Sequence, residues 1–429
     1  MLELFTYSIF RIKVAHLRKI MLSTGVFLVV IAVIIVKNIT METKIPKILL
    51  HIDTSRSCGR GILIGVARYS KEHGPWQISQ RPPLYTYQNP QKASVLGAED
   101  WLADAMIVST TEIPPEVIKA KIPVVGIDVH KKIYKCPNIV GDADAIALMA
   151  ADYFLNKGFT NFAYCGFKDI DWSIQRGVSF KKVLAQRGHQ VNSFVIKEKP
   201  ANVLWDEQLL DLGQWLKDIE KPVAVFACND DCGGAVMQAC QSVSLDVPGD
   251  VVVLGVDNDE MVCMTSSVAL SSIALNFEKA GFETAALLDK MVSKKQNKFA
   301  ESDIILSPTH IVTRASTDVL AIQDKQLSQA LSFISKYCRQ PIQVVDVVEA
   351  VGLSRRNLEY KFSKTLKRSI NAEIRRVKVE QITKMLIETD IPVTQIALYF
   401  GFSDATHIAR YFSKEKNITP KDYRKKVKL

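Results

Sequence analysis

The sequence predicts an α/β protein. It combines a two-lobed, doubly wound parallel-sheet domain with an all-α domain of tandem helix-turn-helix units. Three observations predict this. Short apolar runs alternate with amphipathic segments from residue 46 to residue 318. A short helix, a glycine turn and a second helix occur twice near the C-terminus. Charge is segregated: from residue 325 onward about 21 Lys and Arg face about 10 Asp and Glu, so the net charge of +10 sits mainly in the last quarter of the chain.

The 429 residues divide into an extension over 1–45, an α/β domain over 46–318, a linker over 319–326 and a helical domain over 327–426. Within the extension, residues 20–36 are uncharged and apolar. Arg11, Lys13, Arg18 and Lys19 precede them and Lys37 follows. Alone, this reads as a short membrane span or an uncleaved anchor. Its charge bias would keep the N-terminus in the cytoplasm and carry the rest across the membrane. A nucleic-acid-binding tail could not act there. Met41 opens METKIPKILLHID directly before the first strand, so residues 1–40 are read as an upstream mis-start and the chain as cytoplasmic. Eight scattered cysteines, with no CxxC pair, fit a reducing compartment. Cys228 and Cys232 stand four apart without a nearby His, which reads as a loop and helix start rather than a metal site.

Strands are predicted over 47–52, 106–109, 124–127, 162–165, 191–196, 223–228 and 251–256. Helices are predicted over 143–157, 173–187, 206–218 and 233–243. Repeated βα units imply parallel sheets flanked by helices, and nearly 280 residues of them imply two lobes. Polar residues follow the strand ends: Asp53, Asp128, Gly166, Asn229, Asp230 and Asp257. In doubly wound folds these ends line the ligand crevice.

In the C-terminal part, residues 344–362 read VVDVVEAVGLSRRNLEYKF and residues 396–424 read IALYFGFSDATHIARYFSKEKNITPKDYR. Gly352 matches Gly401, Leu353 matches Phe402, Ser354 matches Ser403, and Phe362 matches Phe412 with a one-residue offset. Ser403 or Asp404 caps the last of these helices. Its apolar face carries Ile408, Tyr411 and Phe412. Thr406, His407, Arg410 and Lys414 lie opposite. A long helix over 369–388 bridges the copies with Ile370, Ile374, Val377, Ile382, Met385 and Leu386 inward. The duplication and the basic charge point to nucleic acid.

Over about residues 326–426 this pattern resembles the DNA-binding domain of the AraC/XylS family, including the closing NITPKDYRKK. Val348 stands where that family often has a small residue. The resemblance implies that Arg355, Arg356, Glu359 and Tyr360 of the first unit face DNA, as do Ala405, Thr406, His407 and Arg410 of the second. Arg suits guanine through paired hydrogen bonds, so Arg356 and Arg410 are expected to read bases; neutralising phosphate is their alternative role. Residues 46–318 resemble the LacI/GalR type of periplasmic-binding-protein-like sensor, through FACNDDCGGAV, VPGDVVVLGVDNDEMV and SPTHIVTRASTD. The usual N-terminal repressor helix-turn-helix is absent. HIDTSRSCGRGILIGVARYSKEHGPW fits a group of sugar-operon regulators that join both domains.

This second resemblance places Asp257, Asn229 and Arg176 at sugar-contacting positions, with Trp172 able to stack on a ring and Asp230 as runner-up to Asn229. A helix cap or Asx turn is the alternative role for Asp257 and Asn229, and simple packing for Trp172. Asp53, Ser55 and Arg60 are weaker candidates. The expected function is a sugar-responsive transcription regulator with operator or promoter DNA, a small sugar effector, RNA polymerase and a second copy of itself as partners. A membrane-anchored sugar receptor is the alternative, and a sugar-processing enzyme a third reading. No catalytic residue, cofactor or metal site is expected. DCGGAV lacks the Lys-Ser/Thr of a phosphate loop, CGRGILIG has the wrong spacing for a dinucleotide site, and no GxSxG elbow or zinc-ligand helix occurs.

Overall fold

Apolar runs such as VAVFA (β8, Val223–Ala227) and VVVLGV (β9, Val251–Val256) are buried along their whole length. Strands buried on both faces belong inside a parallel sheet covered by helices. The computed structural model describes residues 45–80, 103–109, 121–127, 131–133, 136–197, 205–294, 303–321 and 324–427. The apolar stretch 20–36, the proposed start at Met41 and Asp128 lie outside them. Among the described residues no helix is long and apolar enough to cross a membrane.

Two six-stranded sheets form two lobes. In lobe 1 the order is β11-β5-β4-β3-β1-β2, all parallel, from β1 (Lys47–His51), β2 (Gln77–Gln80), β3 (Ala105–Val108), β4 (Val124–Ile127), β5 (Asn138–Gly141) and β11 (Ile304–Leu306). In lobe 2 it is β12-β10-β9-β8-β6-β7, adding β6 (Asn161–Phe167), β7 (Val191–Ile196), β10 (Ser271–Leu275) and β12 (Pro308–Val312). Only the β10–β12 pair in this sheet is antiparallel.

Helices α1 (Ser57–His73) and α7 (Phe277–Lys294) pack together in lobe 1. They touch so closely that a Cβ on Gly65 would lie 1.9 Å from the Glu278 carbonyl oxygen, and one on Gly281 2.1 Å from that of Ile62. Lobe 2 carries α2 (Ala143–Asn156), α3 (Asp171–Ala185), α4 (Trp205–Asp218), α5 (Asp230–Ser242) and the short α6 (Glu260–Thr265). The chain passes between lobes three times, at residues 141–143, 275–277 and 306–308. Two of these crossings are tied by Asp142 N–H donating to the Leu306 carbonyl at 3.0 Å.

The helical region follows from Asp324, which caps α8 (Lys325–Tyr337) by accepting from Gln326 and Leu327 N–H. Then come α9 (Val344–Val351), α10 (Arg355–Leu366), α11 (Ile370–Glu388), α12 (Val393–Tyr399), α13 (Ala405–Lys416) and α14 (Pro420–Val427). Two separate small cores share α11. Its first half feeds a cluster with Leu327, Val347, Leu358 and Phe362. Its second half feeds one with Ile396, Phe400, Ile408 and Phe412. Val348 packs partly buried against the first of them.

Several sequence expectations need correction. Helix α5 begins at Asp230, not residue 233, because Asn229 caps it. Helix α3 begins at Asp171. The elements β2, β5, β10, β11, β12 and α7 were not expected: these strands are only three to five residues long, and β12 opens with a proline. Residues 377 and 385 of α11 are only partly buried, while Glu373, Lys378 and Thr383, three polar residues, are buried.

Both helix-turn-helix turns need a left-handed residue, at Gly352 (φ 68°) and Gly401 (φ 74°). A Cβ at Gly352 would meet nothing within 4 Å, so alanine there incurs only the conformational penalty. Gly352→Ala should therefore lower stability by about 1 kcal/mol, read as a shift in the urea midpoint. An unmoved midpoint would mean that the turn relaxes out of the left-handed region.

Candidate functional site

The strand ends of the two lobes face each other across a cleft. There the described residues enclose a cavity of about 230 Å³. Its floor on the lobe 1 side comes from the ends of β1, β3, β4 and β5, with Asp53, Ser109, Ile127 and Ile139. Lobe 2 contributes Trp172, Arg176 and Asp257.

Arg176 lies in the second turn of α3 and is 5% exposed. Its Nη1 donates to the Cys228 carbonyl at 2.5 Å, its Nη2 stands 3.6 Å from Asp257 Oδ1, and its guanidinium lies 5.0 Å from the Trp172 ring centre. Asp257 follows β9 with φ 103°, a conformation rare for a non-glycine residue, which turns its carboxylate into the cleft. Burial raises its pKa to about 6 against the pull of Arg176. A buried cation, a carboxylate beside it and an indole face can together hold a small molecule rich in hydroxyls. Cys58 also lines the cavity, and burial pushes its thiol up to about 12, so it is an uncharged wall.

Two other expected residues stand behind the cleft. Asn229 Oδ1 accepts from Cys232 N–H at 2.9 Å as the cap of α5, and Asn229 does not line the cavity. Asp230 is 2% exposed and faces inward: it accepts from Ser272 Oγ at 2.5 Å and from Asp259 N–H at 2.7 Å. Burial, reinforced by Asp257, raises its pKa to about 8. Of the weaker candidates, Asp53 lines the cavity. Its carboxylate accepts from Ser55 N–H at 2.8 Å, while Arg60 turns to Asp259 at 3.1 Å.

Of the residues that bridge the lobes, only Arg60 was singled out in the sequence. Arg56, at the N-cap of α1, meets Asp231 of α5 through both Nε and Nη2, at 2.9–3.1 Å. The Asp259 carboxylate accepts from Ser57 N–H at 2.6 Å and from Met261 N–H at 3.1 Å, and pairs with Arg60. Burial opposes its charge, but those N–H donors and Arg60 hold its pKa below the usual carboxylate range. The exposed Arg56–Asp231 pair contributes at most about 1 kcal/mol; the buried Asp259 is the firmer latch. Its only sequence signal was an Asp two residues after Asp257.

On the helical side, Arg355, Arg356 and Tyr360 of α10 are exposed, as are Thr406, His407 and Arg410 of α13. Ala405 is half-buried. Glu359 is turned away: it is half-buried and accepts from Ile370 N–H at 3.3 Å, at the start of α11. Asp404, rather than Ser403, caps α13 by accepting from His407 N–H at 2.8 Å. Lys378, which is 6% exposed, bridges the two units. Its Nζ donates to the Gln340 carbonyl at 2.7 Å and lies 5.6 Å from the Phe402 ring centre, so it touches both units.

Among known proteins, the periplasmic binding protein-like domain family matches residues 151–317 and the helix-turn-helix domain family matches residues 347–426. The chain is 26% identical to the xylose operon regulatory protein of Escherichia coli (strain K12), over 90% of this chain and 98% of that one. It is 26% identical to the xylose operon regulatory protein of Haemophilus influenzae, over 90% and 99%. A solved structure of a xylose-binding transcription activator matches with TM-score 0.54 and 25% identity, covering 90% of this chain and 99% of that one. The chain is thus a homologue of these regulators along nearly its whole length.

The carboxylates in and behind the cleft give a pH dependence. Asp257 and Asp230 have folded pKa values of about 6 and about 8, above the ordinary 3.8. The folded state therefore binds more protons than the unfolded chain across that window. Their contribution to stability is complete at the acid end and is lost as pH rises through 6 and then 8. Melting temperature should fall between pH 5 and pH 8 (about three units spanning those values), and Asp230→Asn should flatten the upper part of the fall. Parallel profiles for the two proteins would contradict this assignment.

Proposed function

We propose that this chain is a sugar-responsive, sequence-specific DNA-binding transcription regulator of a xylose-like utilisation operon, acting in the cytoplasm. One observation carries the reading: a small interlobe cavity with a buried Arg176–Asp257 pair and an indole wall lies on the same chain as two helix-turn-helix units bearing exposed arginines. The cavity is smaller than the range of about 300–1,000 Å³ typical for drug-sized ligands, which favours a monosaccharide. The homology to xylose operon regulators favours a pentose as that monosaccharide.

The sugar enters from the open edge of the cleft. Its hydroxyls bond to Asp257 and Arg176, and Trp172 covers a ring face. Asn229 and Asp230 act from behind by holding the start of α5 and the Asp257–Asp259 turn. Occupancy favours the closed lobes because the ligand touches both, and only that difference in affinity can shift the equilibrium. The two recognition helices α10 and α13 enter successive major grooves about 34 Å apart. A second copy and RNA polymerase complete the active assembly.

D-xylose should raise the melting temperature of the wild-type protein more than hexoses do. At 100 times the dissociation constant the gain is about 2.7 kcal/mol. Arg176→Ala and Asp257→Ala should each weaken calorimetric binding by roughly 10- to 150-fold, the equivalent of about 1.5–3 kcal/mol. Unchanged affinity in both variants would move the pocket elsewhere.

Binding-site selection examines the other half of the reading. Arg356→Ala and Arg410→Ala should each relax preference at one base pair, the two positions about ten base pairs apart, at about 1–3 kcal/mol each. A variant that weakens all sequences alike, with a salt slope flatter by about one unit, would assign that arginine to phosphate.

A further inference from the structure

The DNA-reading domain is fastened to the sensor on both sides of the interlobe hinge. On lobe 2, Arg368 at the start of α11 donates to Asn156 Oδ1 at 2.5 Å and to its carbonyl at 3.4 Å, at the end of α2. The far end of α11 meets β12, where Glu388 lies 3.3 Å from His310 Nε2. On lobe 1, the last turn of α14 ends against the first turn of α7. Lys279 Nζ donates to the Lys426 carbonyl at 2.8 Å, and Asn276 Nδ2 donates to the Val427 carbonyl. These two carbonyls are among those a helix C-terminus leaves without internal partners, and a lysine there also meets the negative end of the helix dipole. Between the two fastenings, Tyr423 OH donates to the Thr309 carbonyl at 3.4 Å, just past the crossing at 306–308.

Asn276 is itself part of a crossing: it lies within residues 275–277, and its Oδ1 caps α7 by accepting from Lys279 N–H at 3.1 Å. The tail of the reading domain is thus held by the residue at which the chain leaves lobe 2 for lobe 1. Helix α14 is also locked to the second reading unit. Arg424 Nε donates to the Leu386 carbonyl at 3.1 Å, and Tyr423 packs edge-on against Phe412 of α13 at 5.5 Å. Motion of α7 relative to β12 therefore reaches α13 through one packed helix. Attachments on both sides of a rotating hinge cannot all keep their lengths unless the reading domain moves with the hinge.

We propose that Asn276 and Lys279 are positioning residues that couple closure of the cleft to the placement of the second recognition helix, through the C-terminal turn of α14. This rests on the reading of the chain as a cleft-closing regulator and names the route within one chain. Coupling between two sites is reciprocal, so freeing the tail must alter the cleft lips.

The test is amide hydrogen exchange on the full chain, without ligand or DNA, comparing wild type with Lys279→Ala and with Asn276→Ala. Both variants should exchange faster in α14. They should also change exchange by about fivefold at the cleft lips, in the first turn of α1 and in α6, where Ser57 and Asp259 meet. Exchange in α8 should stay as in wild type. A purely local anchor would loosen α14 alone, and that result in Lys279→Ala, which spares the α7 cap, overturns the proposal. Failure of D-xylose to shift the wild-type melting temperature would instead count against the ligand reading, because the exchange experiment uses no sugar.

Discussion

Three crossings of the chain between two sheets constrain everything else in the sensor. A single link would leave the lobes free to tumble. Three adjacent links, two of them hydrogen-bonded at Asp142 and Leu306, leave mainly a rotation that opens or closes the cleft. The strand ends of both sheets point into that cleft, so whatever binds there sits where the rotation brings groups together. The bridging contacts Arg56–Asp231 and Ser57–Asp259 lie at its lips and are made only when the lobes are close. The reading domain is fastened astride the same crossings, which puts the ligand and DNA ends of the molecule under one mechanical constraint.

The sequence revealed the βα alternation, the duplicated helix-turn-helix and the glycine turns, because each depends on local pattern. It also brought Arg176, Asp257 and Trp172 to one cavity. It could not separate Asn229 and Asp230 from the cleft, since a helix cap and a ligand contact use the same residue types after a strand. Only the direction of the first turn of α5 decides, and that direction is set by Ser272 on a strand that the sequence did not announce. Glu359 is ambiguous for a similar reason. Helical spacing put it beside Tyr360 on the reading face, but the start of α11 draws its carboxylate to Ile370 N–H. Asp259, Arg56 and the tail contacts at Asn276 and Lys279 join residues far apart in the chain, which no window of sequence can pair.

Electrostatics around the cleft divide the work among three carboxylates. Asp230, enclosed and flanked by Asp257, is favoured as the neutral acid near neutral pH. Asp259, fed by backbone N–H groups and Arg60, is held charged. Asp257 lies between, with Arg176 opposing its burial. Three negative charges so close would repel one another. Keeping the innermost one protonated lets Asp257 remain available to a ligand while Asp259 holds the lips.

The reading domain solves a different problem, that of holding two recognition helices in one relative position. Each unit has its own small core, and neither core is large enough to dictate the position of the other. The shared helix α11 provides the rigid axis, and buried polar groups on it supply the register. Glu373 is 2% exposed between Arg376 at 2.8 Å and Arg368 at 2.5 Å; burial would raise its pKa, but the two arginines hold it below the usual range. Lys378 grips a carbonyl of one unit and an aromatic ring of the other. Removing one partner from such a buried ionic group is costly because the other charge is left without compensation. The polar residues on α11 weaken its amphipathic pattern in the sequence. Lys378 among them touches both units, and through Arg368 the buried Glu373 group reaches the sensor at Asn156. The feature that blurs the helix in the sequence is therefore the one that makes the two units a single reading head attached to the sensor.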